Sequence, residues 1–329
     1  PGGEMLSSSL QMVEGAPFML SEWIHVLPNE WGVEGAAILG AYGMGLQGWD
    51  VSYAFQNADD GTFSSFIGRH PWDVTAPQFM GIFPAVSRQV LRGDVKESEI
   101  VHYRNVHIPS LDSMQIGFNE KVEQNWDMKT FTSDVFPAEA IAAAKGLVRF
   151  TDEFVPTEPF DLAAYTTASG AIKSSSSQLL WMPGDKAIDG HIIVDTPATQ
   201  ALIGFAEGKT IETQDASITP ESRFGAIYLT ALSPEGSLQT DEGILITAIA
   251  RARNTGQVVI NDSVLLSKGQ GPVMMEPIRA NIDIDRNGSP TLHILDHGGA
   301  KTGRTLPVTD GKIEIDTARD GSPYYLLEF

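Results

Sequence analysis

From about residue 176 to Phe329 the chain alternates apolar and polar positions in short runs. HIIVD, ATQALIGF, RFGAIYLTAL, GILITAIARA, QVVIND, ANIDID, TLHILD and KIEID each have the length and period of a β-strand. Between them stand Pro183-Gly184, Asp189-Gly190, Glu207-Gly208, Glu235-Gly236, Asn287-Gly288, Asp310-Gly311 and Asp320-Gly321. Asn-Gly and Asp-Gly between such runs signal hairpins, because both residues tolerate positive φ. The pattern predicts antiparallel β-sandwich domains, one over 176–262 and a smaller one over 263–329. Residues 151–175, closed by the serine run Ser174–Ser177, read as a connecting segment.

Residues 1–150 follow another rule. Pro17–Glu22 (PFMLSE) is a short apolar run ending in a carboxylate, as a buried strand does when its C-terminal end opens into a site. Glu34–Gly45 is small and apolar and predicts a helix packed closely on a sheet. Trp49–Phe55 reads as the next strand, and Pro77–Leu91 as another helix with a kink at Pro84. Glu22 and Asp50 lie one βα unit apart, and the order strand, helix, strand, helix implies a parallel sheet with its site at the strands' carboxyl ends. The fold class predicted is α/β plus all-β.

Composition narrows the chemistry. The 329 residues carry 42 acidic and 22 basic side chains, a formal charge of −20, which argues against a nucleic-acid or anionic-membrane partner. With no cysteine, thiolate zinc sites, iron–sulfur clusters, disulfides and cysteine nucleophiles are all excluded. No apolar run approaches the ~18–20 residues of a membrane span. The chain opens on Pro1 without a signal-peptide pattern and so reads as a processed or truncated product.

Several motifs fail on context. Gly43-Met44-Gly45-Leu46-Gln47-Gly48 fits a dinucleotide fingerprint but closes a helix and leads into a strand, the reverse of the required order. Asp283-x-Asp285-x-Asn287-Gly288 resembles the start of a calcium loop, yet its twelfth position is Ile294 where a glutamate is needed; a hairpin through Asn287-Gly288 explains it better. The seven histidines offer no helical pair at metal-ligand spacing, so no metal and no cofactor is predicted. What remains is a cluster of acids and aromatics: Glu22, Asn29, Glu30, Glu34 and Asp50 alternate with Trp23, Trp31, Trp49, Tyr53, Phe55 and Trp72. A sugar site needs this mixture, indole for the pyranose face and acids or amides for its hydroxyls.

On these residues Pro17–Asn57 resembles strands seven and eight of the retaining (β/α)8-barrel glycoside hydrolases of clan A, leaning towards the beta-galactosidase-like and agarase-like enzymes. The pattern is an apolar strand ending in Ser/Thr-Glu, a loop, a helix, and an eighth strand beginning near Trp. The resemblance implies that Glu22 is the nucleophile, that Trp49 floors a sugar subsite, and that Asp50 is a polar contact. Trp23, Trp72, Asn29 and Glu34 are further candidates for binding. It also implies that residues 1–150 are only the C-terminal part of a catalytic barrel. The family's acid/base comes from an Asn-Glu at the end of strand four, and Asn29-Glu30 and Asn119-Glu120 stand in the wrong places for it. Strands one to six and the acid/base would then come from a complementary chain. The implied function is hydrolysis of a β-linked, galactan-type polysaccharide or oligosaccharide by a protein that is secreted or periplasmic. The alternative is a non-catalytic carbohydrate-binding or structural β-sandwich module.

Overall fold

The computed structural model describes residues 3–25, 32–55, 65–68, 72–125, 128–186, 189–261 and 264–329. The chain is mostly β, with largely antiparallel sheets, as the alternation predicts. It divides into two compact units that do not follow the sequence boundaries. The first holds Pro1–Trp23, Ile38–Tyr53 and Val95–Pro183; the second holds Ile24–Ala37, Ala54–Asp94 and Gly184–Phe329. Residues 1–150 are therefore not one domain. Nor are 151–175 a free connection.

The strands of the first unit are β1 (Met19–Trp23), β2 (Val51–Ala54), β3 (Val101–His107), β4 (Glu120–Asn125), β5 (Met128–Ser133), β6 (Lys145–Thr151), β7 (Ile172–Lys173) and β8 (Leu179–Pro183). β1 pairs with β2, and β3 runs parallel to β6 in register from Val101–Lys145 to His107–Thr151. β4 with β5, and β7 with β8, form antiparallel hairpins. Between β1 and β2 the chain is helical over Val33–Ile38 and continues in wider π-helical turns over Leu39–Leu46. Its glycines admit close neighbours: a Cβ on Gly43 would lie 2.7 Å from the Trp49 ring, and one on Gly45 2.8 Å from Val95. Gln47, fully buried, donates to the carbonyls of Ile141 and Ala144 at 2.7 Å each. The segment read as a linker is packed by its aromatics, Phe160 meeting Phe136 at 5.1 Å and Tyr165 at 5.4 Å.

In the second unit the strands are β9 (Gly190–Asp195), β10 (Thr199–Gly204), β11 (Ile211–Glu212), β12 (Ala216–Pro220), β13 (Gly225–Ala231), β14 (Gly243–Ile249), β15 (Ala252–Thr255), β16 (Val258–Ile260), β17 (Val264–Ser267), β18 (Gln270–Met275), β19 (Arg279–Ile284), β20 (Thr291–Leu295), β21 (Lys301–Leu306), β22 (Lys312–Asp316) and β23 (Tyr324–Glu328). Strands β21-β20-β23-β14-β13-β10-β9 follow one another, antiparallel at every step. The second sheet, β11-β12-β19-β22, is antiparallel as well.

One core joins the two sheets: Leu202, Ile227, Leu229, Ile244, Ile246 and Tyr325 with Ile218, Ile282, Ile313 and Ile315. Its members come from both sides of residue 262, so the two sandwiches expected at 176–262 and 263–329 are a single one. On β22 Ile313 and Ile315 are buried while Lys312 and Glu314 are exposed, the alternation of a sheet with one wet face. Asn287-Gly288 makes no hairpin, since β19 and β20 belong to different sheets and the dipeptide lies on the crossing. Asp310-Gly311 does turn tightly, with φ of 50° and 79° and a bridge from Thr309 to Lys312.

Strands β10, β13 and β14 are buried almost throughout, so their outer face needs a cover too. Helix α1 (Phe83–Arg92) packs on β13 and β14 and turns Ala85, Val86 and Gln89 inward. Pro84 is no kink. The helical pattern breaks at Gly81-Ile82, and Pro84 sits in the first turn of α1, where its missing N–H costs no bond. Arg92 chelates Asp94 through two bonds of 2.7 Å and reaches the Ala231 carbonyl, Asp94 accepts from Thr199 Oγ1 at 2.7 Å, and Tyr324 donates to the Gly81 carbonyl at 2.8 Å.

Tyr228, Thr230 and Thr247 lie on this outer face, opposite in parity to Ile227, Leu229 and Ile246. Each is fully buried with a side-chain oxygen that has no partner among the described residues. A buried unsatisfied hydroxyl costs about 1–3 kcal/mol, whereas an apolar isostere carries no such cost. Thr247→Val is therefore expected to leave stability unchanged or raise it by up to about 1 kcal/mol in urea unfolding. A loss larger than that would show that the hydroxyl is bonded.

Candidate functional site

The site predicted around Glu22 has to be assembled from β1 and β2. Their relative placement is fixed by backbone bonds: the Phe18 carbonyl accepts from the N–H of Asp50 at 3.1 Å and of Val51 at 3.4 Å. The residues that precede the two strands thus lie side by side, and the two strands run the same way from there. Glu22 is near the C-terminal end of β1. It is exposed, and its carboxylate has no hydrogen-bond or ion-pair partner among the described residues.

Asp50 is at the opposite end. It accepts the Phe18 N–H at 2.8 Å and ties the start of β2 to the start of β1. Glu22 lies four residues on from Phe18, about 13 Å at the usual rise of ~3.3 Å per residue. Spacing of one βα unit suggests a shared site, but spacing does not show which end of a strand a residue occupies. Asp50 Oδ2 ties the strand starts together, at the end away from Glu22.

Trp49 does not floor a subsite. It is 3% exposed, its indole N–H donates to Ser9 Oγ at 2.9 Å, its ring meets Phe18 at 5.2 Å, and Gly43 closes on its benzene edge. A ring enclosed in this way offers no face to a sugar. Trp23 is buried in the first unit too. Trp72 belongs to the second unit, half-buried, meeting Phe55 edge-on at 6.1 Å. Glu34 sits in the helix Val33–Ile38. Asn29 lies outside the described residues, as do Glu30 and Trp31. His25 is half-buried against Gly35, and loss of hydration pushes its imidazole down to a pKa of about 4, so it is neutral at ordinary pH.

The exposed aromatic late in the strand that pairs with β1 is Tyr53. It lies late in β2 and is 58% exposed. Met19, on β1, is 55% exposed. Tyr53 could have been chosen from the sequence by counting from the strand's start, since only residues late in a strand reach its C-terminal end. Among the described residues no group of three or more His, Asp or Glu side chains could hold a metal ion, and no helix is long and apolar enough to cross a membrane. Comparison with known proteins finds no matching family model, no matching curated protein and no matching solved structure.

Removing the Trp49 ring empties a core position, so Trp49→Ala is expected to cost about 3–5 kcal/mol in equilibrium unfolding. Glycan binding per folded molecule should not change. A variant with wild-type stability and weakened glycan binding would restore the stacking role.

Proposed function

We propose that this chain carries the nucleophile of a retaining glycoside hydrolase that acts on a β-linked polysaccharide or oligosaccharide, with galactan-type chains as the substrate class. The observation that supports it best is Glu22 itself, an exposed carboxylate near the C-terminal end of β1, with Tyr53 exposed late in the paired strand β2. In βα architectures that end of the strands is where active sites are built. Tyr53 replaces Trp49 as the aromatic contact for a pyranose ring.

In the mechanism Glu22 attacks the anomeric carbon and forms a covalent glycosyl-enzyme as the leaving oxygen takes a proton from a second carboxylic acid. Water, activated by that second group, then releases the sugar with retained configuration. The two carboxyl groups stand about 5–5.5 Å apart in such enzymes. The second comes from a complementary chain. Two strands cannot close a barrel, and β1 and β2 leave Met19 and Tyr53 uncovered. The partner supplies strands one to six, the acid/base, and the hydrogen bonds that hold Glu22. A secreted or periplasmic setting suits a polysaccharide substrate.

The second reading is a carbohydrate-binding or structural module, and the dominance of the β-sandwich favours it. One experiment separates the two. In the assembled enzyme Glu22→Gln is expected to lower kcat by on the order of 10³-fold or more with folding intact. Azide should restore turnover of an activated aryl glycoside by Glu22→Ala, with inverted product. Turnover of Glu22→Gln within about tenfold of wild type would contradict the assignment.

A further inference from the structure

The first unit also holds a hollow of about 250 Å³ whose lining is mostly hydroxyl-bearing side chains. One wall is Ala164, Tyr165, Thr166 and Thr167, at the end of the short 3-10 turn Leu162–Tyr165. The other is Lys173, the last residue of β7, with Ser174, Ser175 and Ser177 in the turn to β8.

Backbone bonds hold both walls. Thr166 bridges Ile172, and the Thr167 N–H donates to the Ala171 carbonyl at 2.8 Å. On the other side Ser174 Oγ accepts the Leu179 N–H at 3.0 Å, and the Ser177 N–H donates to the Ser174 carbonyl at 2.9 Å. Ser175 Oγ lies 2.6 Å from Ser98 Oγ. Ser177 has φ of 61°, a left-handed conformation that a serine holds only where its surroundings enforce it. The serine run is a formed turn, although its composition reads as linker.

The groups left over indicate the ligand. The Lys173 ammonium, the Tyr165 hydroxyl and the Ser177 hydroxyl make no hydrogen bond or ion pair with any described residue, and all three residues line the hollow. The Tyr165 ring is half-buried and lies on Phe160 at 5.4 Å and 15°, so its hydroxyl is held in place. Lysine presents a compact positive charge to an anion, while the surrounding hydroxyls both donate and accept. The volume equals that of about eight waters at ~30 Å³ each. It falls just below the roughly 300–1,000 Å³ of sites for drug-sized ligands, which is room for about one sugar ring.

We infer that this hollow binds a single anionic hexose unit, its carboxylate or sulfate on Lys173 and its ring hydroxyls on Tyr165, Ser177 and the threonines. The choice of a sugar rests on the glycan reading above, but the site does not include Glu22 and stands or falls separately from it.

Calorimetric titration of the purified chain with galacturonate, galactose 6-sulfate, galactose and inorganic sulfate tests this. At least one anionic sugar should bind, and galactose and inorganic sulfate should each bind about tenfold more weakly or worse. Which anionic sugar binds more tightly distinguishes a carboxylate from a sulfate ligand. Lys173→Gln, an exposed position, should keep the melting temperature and weaken the anionic sugar by about tenfold or more, with Lys173→Arg retaining most of the affinity. Glu22→Gln should bind as wild type does. Equal binding of inorganic sulfate, unchanged affinity in Lys173→Gln, or no binding of either anionic sugar would overturn the inference. Loss of binding in Glu22→Gln would move the sugar to the β1–β2 edge, overturning this site and leaving the hydrolase reading in place.

Discussion

The central strands β10, β13 and β14 are buried on both faces, and the rest of the second unit follows from that. Their inner face takes the four-stranded sheet, with Ile227, Leu229 and Ile246 against Ile218, Ile282 and Ile313. Their outer face carries Tyr228, Thr230 and Thr247 and cannot be left to solvent without exposing Leu245 and Ile249 beside them. The cover comes from earlier in the chain. Helix α1 is fastened by the Arg92–Asp94–Thr199 chain of charge-assisted bonds and by Tyr324 on Gly81. A segment far in front of the sandwich in sequence thus belongs to the sandwich in space.

The reverse holds for β1 and β2. They form a sheet of two strands, and an isolated pair is at best marginally stable in water. Their start is well anchored, with Trp49 in the core and Asp50 on Phe18. Towards their other end Glu22 and Tyr53 are exposed, while Trp23, the last residue of β1, is buried.

The eight β-type runs of 176–329 were legible because alternation depends only on which side chains meet water, and each contains a strand. The close-packing role of Gly43 and Gly45 was legible for the same local reason. What a residue does across the fold was not. Asn287-Gly288 carries a hairpin signal, but β20 finds its partners in β21 and β23. The glycines and alanines of Glu34–Gly45 predict a helix without revealing the wide turns of Leu39–Leu46. Trp49 and Asp50 read as a sugar contact because an indole beside a carboxylate has the same composition in a core as in a cleft. The serine run looked like linker because composition does not record that Ser174 and Ser175 are bonded into a turn.

The proposed function requires β1 and β2 to belong to a parallel sheet that a second chain completes, whereas the sandwich core already joins its two sheets. Native-state hydrogen exchange, read residue by residue, tests it most directly. In the purified chain the amides of Ile227, Leu229 and Ile246 should exchange only through global unfolding, and those of Leu20, Ser21, Ser52 and Tyr53 orders of magnitude faster. The proposed complementary chain, if it supplies strands one to six, should slow the second group towards the first when added. If the β1 and β2 amides were as protected as those of β13 and β14 in the chain by itself, the sheet would be complete as it stands, and the account of Glu22 as one half of a divided active site would fail.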